Sequence, residues 1–211
     1  MKKISYFLIV LTLSLLSCKD NKKETKTETG TETTTEVTTT EKFVVKPEAT
    51  SVKWTAYKTT EKTPVGGEFT VLKFDEKSGN SPEEALNNLT FSIPVSSLFT
   101  NDDVRDGKLK ESFFGAMLDT ELISGTITSS NGNYVASITM NGVTENLPLD
   151  INITDERRVT LTGTMDLKTW NALDALESLN KVCFDLHKGP DGVSKTWEDV
   201  AIEVSTYLRK S

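Results

Sequence analysis

From Val52 onward, apolar residues alternate with polar ones in stretches short enough for strands with one buried face. Val52, Trp54 and Ala56 form the first, and Phe69 and Val71 follow Gly66-Gly67. Leu89, Phe91, Ile93 and Val95 make the clearest run of the first half. Asn131-Gly132 reads as a hairpin turn between strands near Ile123 to Ser129 and Tyr134 to Met140. A second Asn-Gly, Asn141-Gly142, leads into a strand on which Leu147, Leu149, Ile151 and Ile153 share a face. After the polar break Asp155 to Arg158 come Val159, Leu161, Gly163, Met165 and Leu167, and Val200, Ile202 and Val204 form the last run. About eight strands with mostly short connections predict an all-β fold, an antiparallel sheet that sandwiches or closes into a barrel.

Two segments depart from this period. Asp103 to Met117 spaces Val104, Leu109, Phe113, Phe114 and Met117 among charges, and Lys168 to Lys181 places Trp170, Leu173, Leu176 and Leu179 three apart. Both are predicted helical, with a narrow apolar stripe that packs on the barrel or covers its mouth.

The N-terminus follows another pattern. Lys2 and Lys3 precede an apolar run from Ile4 to Leu16 and then the small residue Ser17, the three-part build of a secretory signal. The run has about 13 residues where a membrane span needs about 20. Leu15-Leu16-Ser17-Cys18 resembles the lipobox, in which the cysteine receives lipid and becomes the new N-terminus. Cys18 is therefore the expected lipid anchor, and several acyl chains exceed what stable anchoring requires. The Thr-, Glu- and Lys-rich segment that follows holds one apolar residue, Val37, too little to offset the entropy of ordering it. As a flexible coil of about 24 residues it reaches roughly 25 to 30 Å. The expected organisation is a signal over 1–17, a lipidated cysteine and tether over 18–42, and one domain over 43–211. The expected location is the cell envelope, with the periplasmic or surface face of an outer membrane favoured.

The net charge of −7 becomes −8 on the domain once the signal's two positive charges and the tether's single negative one are set aside. An acidic domain without a basic face is not built for nucleic acid or for lying on anionic lipid. With Cys18 committed to lipid, Cys183 has no intramolecular partner. Its neighbours Val182 and Phe184 suit a thiol packed as a small hydrophobe.

Catalytic chemistry is sparsely represented. His187 is the only histidine, which excludes His-rich zinc sites, and its place beside Lys188-Gly189-Pro190 reads as an exposed turn. The pairs Asp102-Asp103, Glu83-Glu84 and Asp155-Glu156 lie in polar connections without EF-hand spacing. Gly189-Pro190-Asp191-Gly192 lacks the spacing and trailing Lys-Ser/Thr of a phosphate loop. The expectation is a non-enzyme with no catalytic residue, metal or cofactor.

Several stretches resemble the YceI family of exported bacterial proteins. Ser51-Val52-Lys53-Trp54 followed by Val65-Gly66-Gly67-Glu68-Phe69 is similar to the family's first two strands, and Leu89 to Thr100 to a later one. Asp103 to Phe114, containing Arg105-Asp106, Leu109 and Phe113-Phe114, resembles its most specific helical motif. Ile138 to Thr144 resembles a family hairpin. The segment Asn171 to Thr196 is an elaboration associated with a Bacteroidetes-like branch. The resemblance implies a lipocalin-like antiparallel barrel and, for some members, a cavity for a polyisoprenoid or other long-chain amphiphile. On that reading the ligand is a polyisoprenoid, quinone or lipid. The expected wall residues are Trp54, Phe69, Phe91, Ile93, Met140, Leu149, Ile151, Leu161 and Met165, with Phe113 and Phe114 near an entrance. A filled barrel acting as an envelope interaction module is the alternative, and a homodimer stays open.

Overall fold

The computed structural model describes residues 41–211. The expected signal, Cys18 and the tether as far as Thr40 lie outside the described residues.

The chain begins with β1 (Phe43–Val44), β2 (Thr50–Lys58), β3 (Thr63–Phe69), β4 (Lys73–Phe74) and β5 (Ser78–Gly79). A short helix α1 (Pro82–Leu86) precedes β6 (Leu89–Pro94) and β7 (Leu98–Phe99). Helix α2 (Asp103–Lys108) leads through a wide π turn, Leu109–Phe113, and a 3-10 turn, Phe114–Ala116, to β8 (Leu122–Ser130). Strands β9 (Asn133–Met140), β10 (Val143–Thr154) and β11 (Arg158–Asp166) follow as a meander. Helix α3 (Leu173–Val182), β12 (Asp199–Tyr207) and β13 (Arg209–Lys210) complete the fold.

The main sheet runs β4-β6-β8-β9-β10-β11-β12-β2-β3-β7, and every pairing in it is antiparallel. A single 3-10 turn, Val95–Ser97, joins β6 to β7. Because β6 pairs with β8 while β7 pairs with β3, that one stretch of chain links the two sides of the sheet. The backbone N–H of Thr70 donates to Ser97 across the join at 3.0 Å. Counted as one, β6 and β7 complete a ring with β8, β9, β10, β11, β12, β2 and β3. This is an eight-strand antiparallel barrel of the lipocalin-like kind, the fold the family resemblance implies, where alternation alone predicts about eight strands in a sheet that sandwiches or closes. Pro94 and the 3-10 turn form the corner, where a regular strand would have carried the ladder straight past β3.

Both Asn-Gly pairs make the expected tight hairpins. Asn131 and Gly132 have φ of 52° and 79°, and Asn141 and Gly142 have 53° and 68°, the left-handed pair that matches the twist of the flanking strands. Asn141 does more than turn the chain. Its Oδ1 accepts from the Leu118 N–H at 2.8 Å, and its Nδ2 donates to the carbonyls of Trp170 and Asn171 at 3.0 Å. It ties the segments leading from α2 and into α3 to the same hairpin.

The ends of the barrel differ. One is closed by the three-stranded sheet β13-β1-β5 and by α1, over a cluster containing Leu86, Leu89, Ile127, Val159, Leu161 and Leu208. At the other, α3 and the turns after α2 pack on a cluster with Trp54, Met140, Met165, Leu176 and Leu179. The α2 region forms where expected: the Asp102 carboxylate caps it by accepting from the Arg105 N–H at 3.0 Å, which lowers the Asp102 pKa. Asp106, 7% exposed, accepts from both the N–H and the hydroxyl of Thr100, at 2.9 and 2.6 Å.

Three expectations are corrected. The second helix begins at Leu173 rather than Lys168, because Asn171 has φ of 53° and breaks the helical run. Trp170 therefore sits in the preceding turn, buried, with its indole N–H donating to Ile138 O at 3.0 Å. His187 is not a freely exposed turn residue: it ends a 3-10 turn half-buried, its Nδ1 2.6 Å from Thr196 Oγ1. Helix α1 was not anticipated, although Ser81-Pro82-Glu83-Glu84 carries its signal. Ser81 caps it by accepting from the Glu84 N–H at 3.2 Å, with proline at the first helical position.

Candidate functional site

Strand alternation sends one side of every ring strand inward, and the inward side chains do not fill the barrel. An apolar cavity of about 180 Å³ remains along its interior. A cavity admits one water at about 10 to 15 Å³ on this measure, so the space exceeds that minimum more than tenfold.

Its wall draws on strands all around the ring. Val52, Trp54 and Ala56 come from β2, Phe69 from β3, Phe91 and Ile93 from β6, Ile123 and Ile127 from β8, and Ala136, Ile138 and Met140 from β9. Leu147 and Leu149 come from β10, Leu161 and Met165 from β11, and Val200, Ile202 and Val204 from β12. Leu72 and Phe74 reach it from β4 and the residue before it, and Leu109, Phe113, Phe114, Leu176 and Leu179 from the helical end. It therefore extends between the two core clusters, along the barrel axis. Thr196 and Trp197, both half-buried, bring the wall toward the surface.

Of the expected wall residues, Trp54, Phe69, Phe91, Ile93, Phe113, Phe114, Met140, Leu149, Leu161 and Met165 stand on this cavity. Ile151 does not. It shares the inward face of β10 with Leu147 and Leu149, but lies further along the axis, opposite Leu161 in register and packed on the cluster that closes the far end. Phe113 and Phe114 are 9% and 7% exposed, so they belong to the wall and not to an open rim. The π turn and the 3-10 turn after it bring these consecutive residues to the same interior, edge to face with centroids 5.0 Å apart. Sequence reading did not count Val52, Ile138, Leu147, Val200, Ile202 and Val204 as wall, although all lie on strands it predicted, and it missed the small wall residues as well. Ala136 and Ala56 have no bulk to mark them, yet their smallness leaves part of the space.

Glycines shape the wall too. A Cβ on Gly67 would stand 2.7 Å from Cε2 of Trp54, its cross-strand partner. One on Gly125 would stand 2.7 Å from Cζ of Phe91, likewise directly opposite. Each glycine lets a large ring lie against the sheet.

A YceI-like domain profile matches residues 43–208, the whole barrel. The chain belongs to the YceI-like family. Among solved structures, the YceI-like barrel is similar to a polyisoprenoid binding domain from Saccharophagus degradans implicated in plant cell wall breakdown, at 12% identity and a TM-score of 0.59. That match covers 82% of this chain and 99% of the other. A second, Burkholderia cenocepacia BcnA, matches at 15% identity and a TM-score of 0.49 over 78% of this chain and 98% of its own. A search of curated proteins found no match.

The polar groups at the helical end of the YceI-like barrel are committed to one another. Thr196 Oγ1 contacts both His187 Nδ1 and Asn180 Oδ1. Burial, with Lys58 and Lys108 nearby, lowers the His187 pKa, so the ring is neutral at pH 7. Burial raises the pKa of Cys183, a free and buried thiol, away from the thiolate form that a nucleophile needs.

Proposed function

We propose that this protein is a non-enzymatic, membrane-tethered carrier or binder of one long-chain apolar molecule, a polyisoprenoid, quinone or lipid, held inside the barrel. The observation that supports it is the cavity: about 180 Å³ of unfilled space along the axis of a barrel whose wall is almost entirely hydrocarbon and aromatic, room for a small apolar group, so that a longer tail enters as the side chains around it yield. Empty apolar cavities exclude water and take up apolar guests. Transfer of the guest's tail from water would drive binding by about 25 cal/mol for each Å² of apolar surface removed. The naming of one structural neighbour as a polyisoprenoid binding domain agrees with that chemistry.

The tethering rests on Cys18 and the lipobox-like residues before it. A lipid anchor with a flexible spacer would keep the barrel close to a source of insoluble ligands without pressing its acidic surface onto anionic headgroups. Metabolic labelling with a fatty-acid probe tests this part: the wild-type chain should be labelled and sediment with membranes, while Cys18→Ser should be unlabelled. Labelling that persists in Cys18→Ser would contradict it.

The binding part is tested by titrating the full chain with a polyprenol and with an isoprenoid quinone, following tryptophan emission. Saturable quenching at one ligand per chain is expected. Failure of either to bind, together with no displacement of a fluorescent fatty acid, would remove the proposal.

A further inference from the structure

We propose that the indole N–H of Trp54 is the polar anchor of this cavity and selects ligands carrying an uncharged oxygen acceptor, such as a carbonyl, within the buried part of the molecule; this deepens the apolar-ligand reading and rests on it.

The three tryptophans make the comparison internal to the protein. Trp170 Nε1 donates to Ile138 O at 3.0 Å and Trp197 Nε1 to Thr59 O at 2.8 Å. Trp54 is 9% exposed, and its Nε1 is the only buried side-chain nitrogen or oxygen without a hydrogen-bond partner among the described residues. A buried polar group left unpaired costs on the order of 1–3 kcal/mol, so such an exception calls for a physical reason. The other indoles show that this fold can place an acceptor where it needs one.

Water is a poor partner here. A buried water needs two to four polar contacts, and the cavity wall is hydrocarbon and aromatic apart from Thr196, with Ile202 and Gly67 the register partners of Trp54. In the empty barrel the N–H is covered by its neighbours and does not open on the cavity, so an acceptor reaches it only with a guest that turns the indole or parts the wall around it. The same wall limits its chemistry, since Thr196 is the only wall residue with a side-chain hydroxyl, and it is already engaged by His187 and Asn180. With no cation on the wall, a buried phosphate or carboxylate would be left uncompensated. A ketone, quinone, ester or ether oxygen needs one donor and no counter-charge, which is what Trp54 supplies. Gly67 holds the indole in place, because any side chain there would meet the ring.

The test compares an isoprenoid methyl ketone with the hydrocarbon of the same chain length, on the full-length protein and on Trp54→Phe, which keeps an aromatic ring and removes the donor. The ratio of ketone to hydrocarbon affinity should fall about tenfold in the variant, the equivalent of one lost hydrogen bond, and using the ratio cancels any change in cavity shape. In wild-type protein labelled with ¹⁵N at its indoles, the Trp54 Nε1–H resonance should move downfield with the ketone and not with the hydrocarbon, while those of Trp170 and Trp197 hold still. This second readout does not depend on the variant folding. Binding of both ligands with an unchanged ratio, or an unmoved Trp54 resonance in the ketone complex, would overturn the anchor alone. Binding of neither ligand by the wild type would overturn the apolar-ligand reading and the anchor with it.

Discussion

The indole of Trp54 lies across Gly67, its partner on the neighbouring strand, so closely that a Cβ on Gly67 would sit 2.7 Å from Cε2 of the ring and 2.9 Å from the Thr100 methyl. The largest inward side chain of β2 is thus seated by the absence of one on β3. Gly67→Ala should lower stability by about 1–3 kcal/mol through overpacking and displace the indole into the cavity. Gly107→Ala is the matched control: nothing lies within 4 Å of its Cβ position and it is in α2, so about 0.5–1 kcal/mol of stabilisation is expected. Urea unfolding of both variants checks the contrast in sign.

A hollow barrel and a filled one respond differently to added volume. Ala136 is 4% exposed on the cavity wall, and Ala136→Phe should leave the unfolding midpoint near its wild-type value while reducing capacity for a long-chain ligand. Leu161→Ala, at a residue 1% exposed where the cavity meets the α1 end, should cost about 2–5 kcal/mol. Calorimetric melting read beside ligand titration separates the two. A large loss of stability in Ala136→Phe would show that the space is not free.

Asp106 fixes α2 to the residue that follows β7, accepting from the Thr100 N–H and hydroxyl at 2.9 and 2.6 Å. Asp106→Ala leaves a backbone donor without its partner, and a loss of about 1–3 kcal/mol is expected. Hydrogen exchange at the Thr100 amide should rise in the variant, with amides of β9 and β10 less affected.

The single histidine gives stability a traceable pH dependence. Burial, then the nearby Lys58 and Lys108, lowers the His187 pKa below its ordinary 6.5. Below pH 6.5 the unfolded chain therefore binds a proton that the folded chain resists, and stability falls as pH drops from 6.5 through the lowered value. Above 6.5 the two states carry the same charge at this site and the effect is fully relieved. His187→Gln should flatten the part of the stability profile lying below pH 6.5. An equally steep profile in the variant would assign that dependence to other groups.

How much of this was legible follows from which features have a period. The strands β2, β6 and β8 to β12 announce themselves because each is long enough to repeat an inward apolar residue several times, and the two Asn-Gly turns fix the meander between β8 and β10. The closure was not readable: it depends on β7, two residues long, and on a corner at Pro94 to Ser97. The sheet β13-β1-β5 has strands of two residues each, too short for any period. Within the site, alternation identifies which face a residue is on but not its height along the axis, which is why Ile151 was placed with Leu149 and lies instead beyond the cavity. Alternation puts Ala56 on an inward face without marking it as wall, and it is silent about Ala136 and Gly67; the lack of bulk at all three shapes the space. It is equally silent about the unpaired nitrogen of Trp54, since hydrogen-bond satisfaction is a property of the assembled fold.

The central claim is that the barrel holds one long apolar molecule, and the most direct measurement is native mass spectrometry with lipid extraction of the full chain purified from membranes in mild detergent. The account predicts a single long-chain, oxygen-bearing species near one per protein, reduced in Ala136→Phe. A protein that retains no lipid, and that takes up none from a total envelope extract while remaining folded, would contradict it.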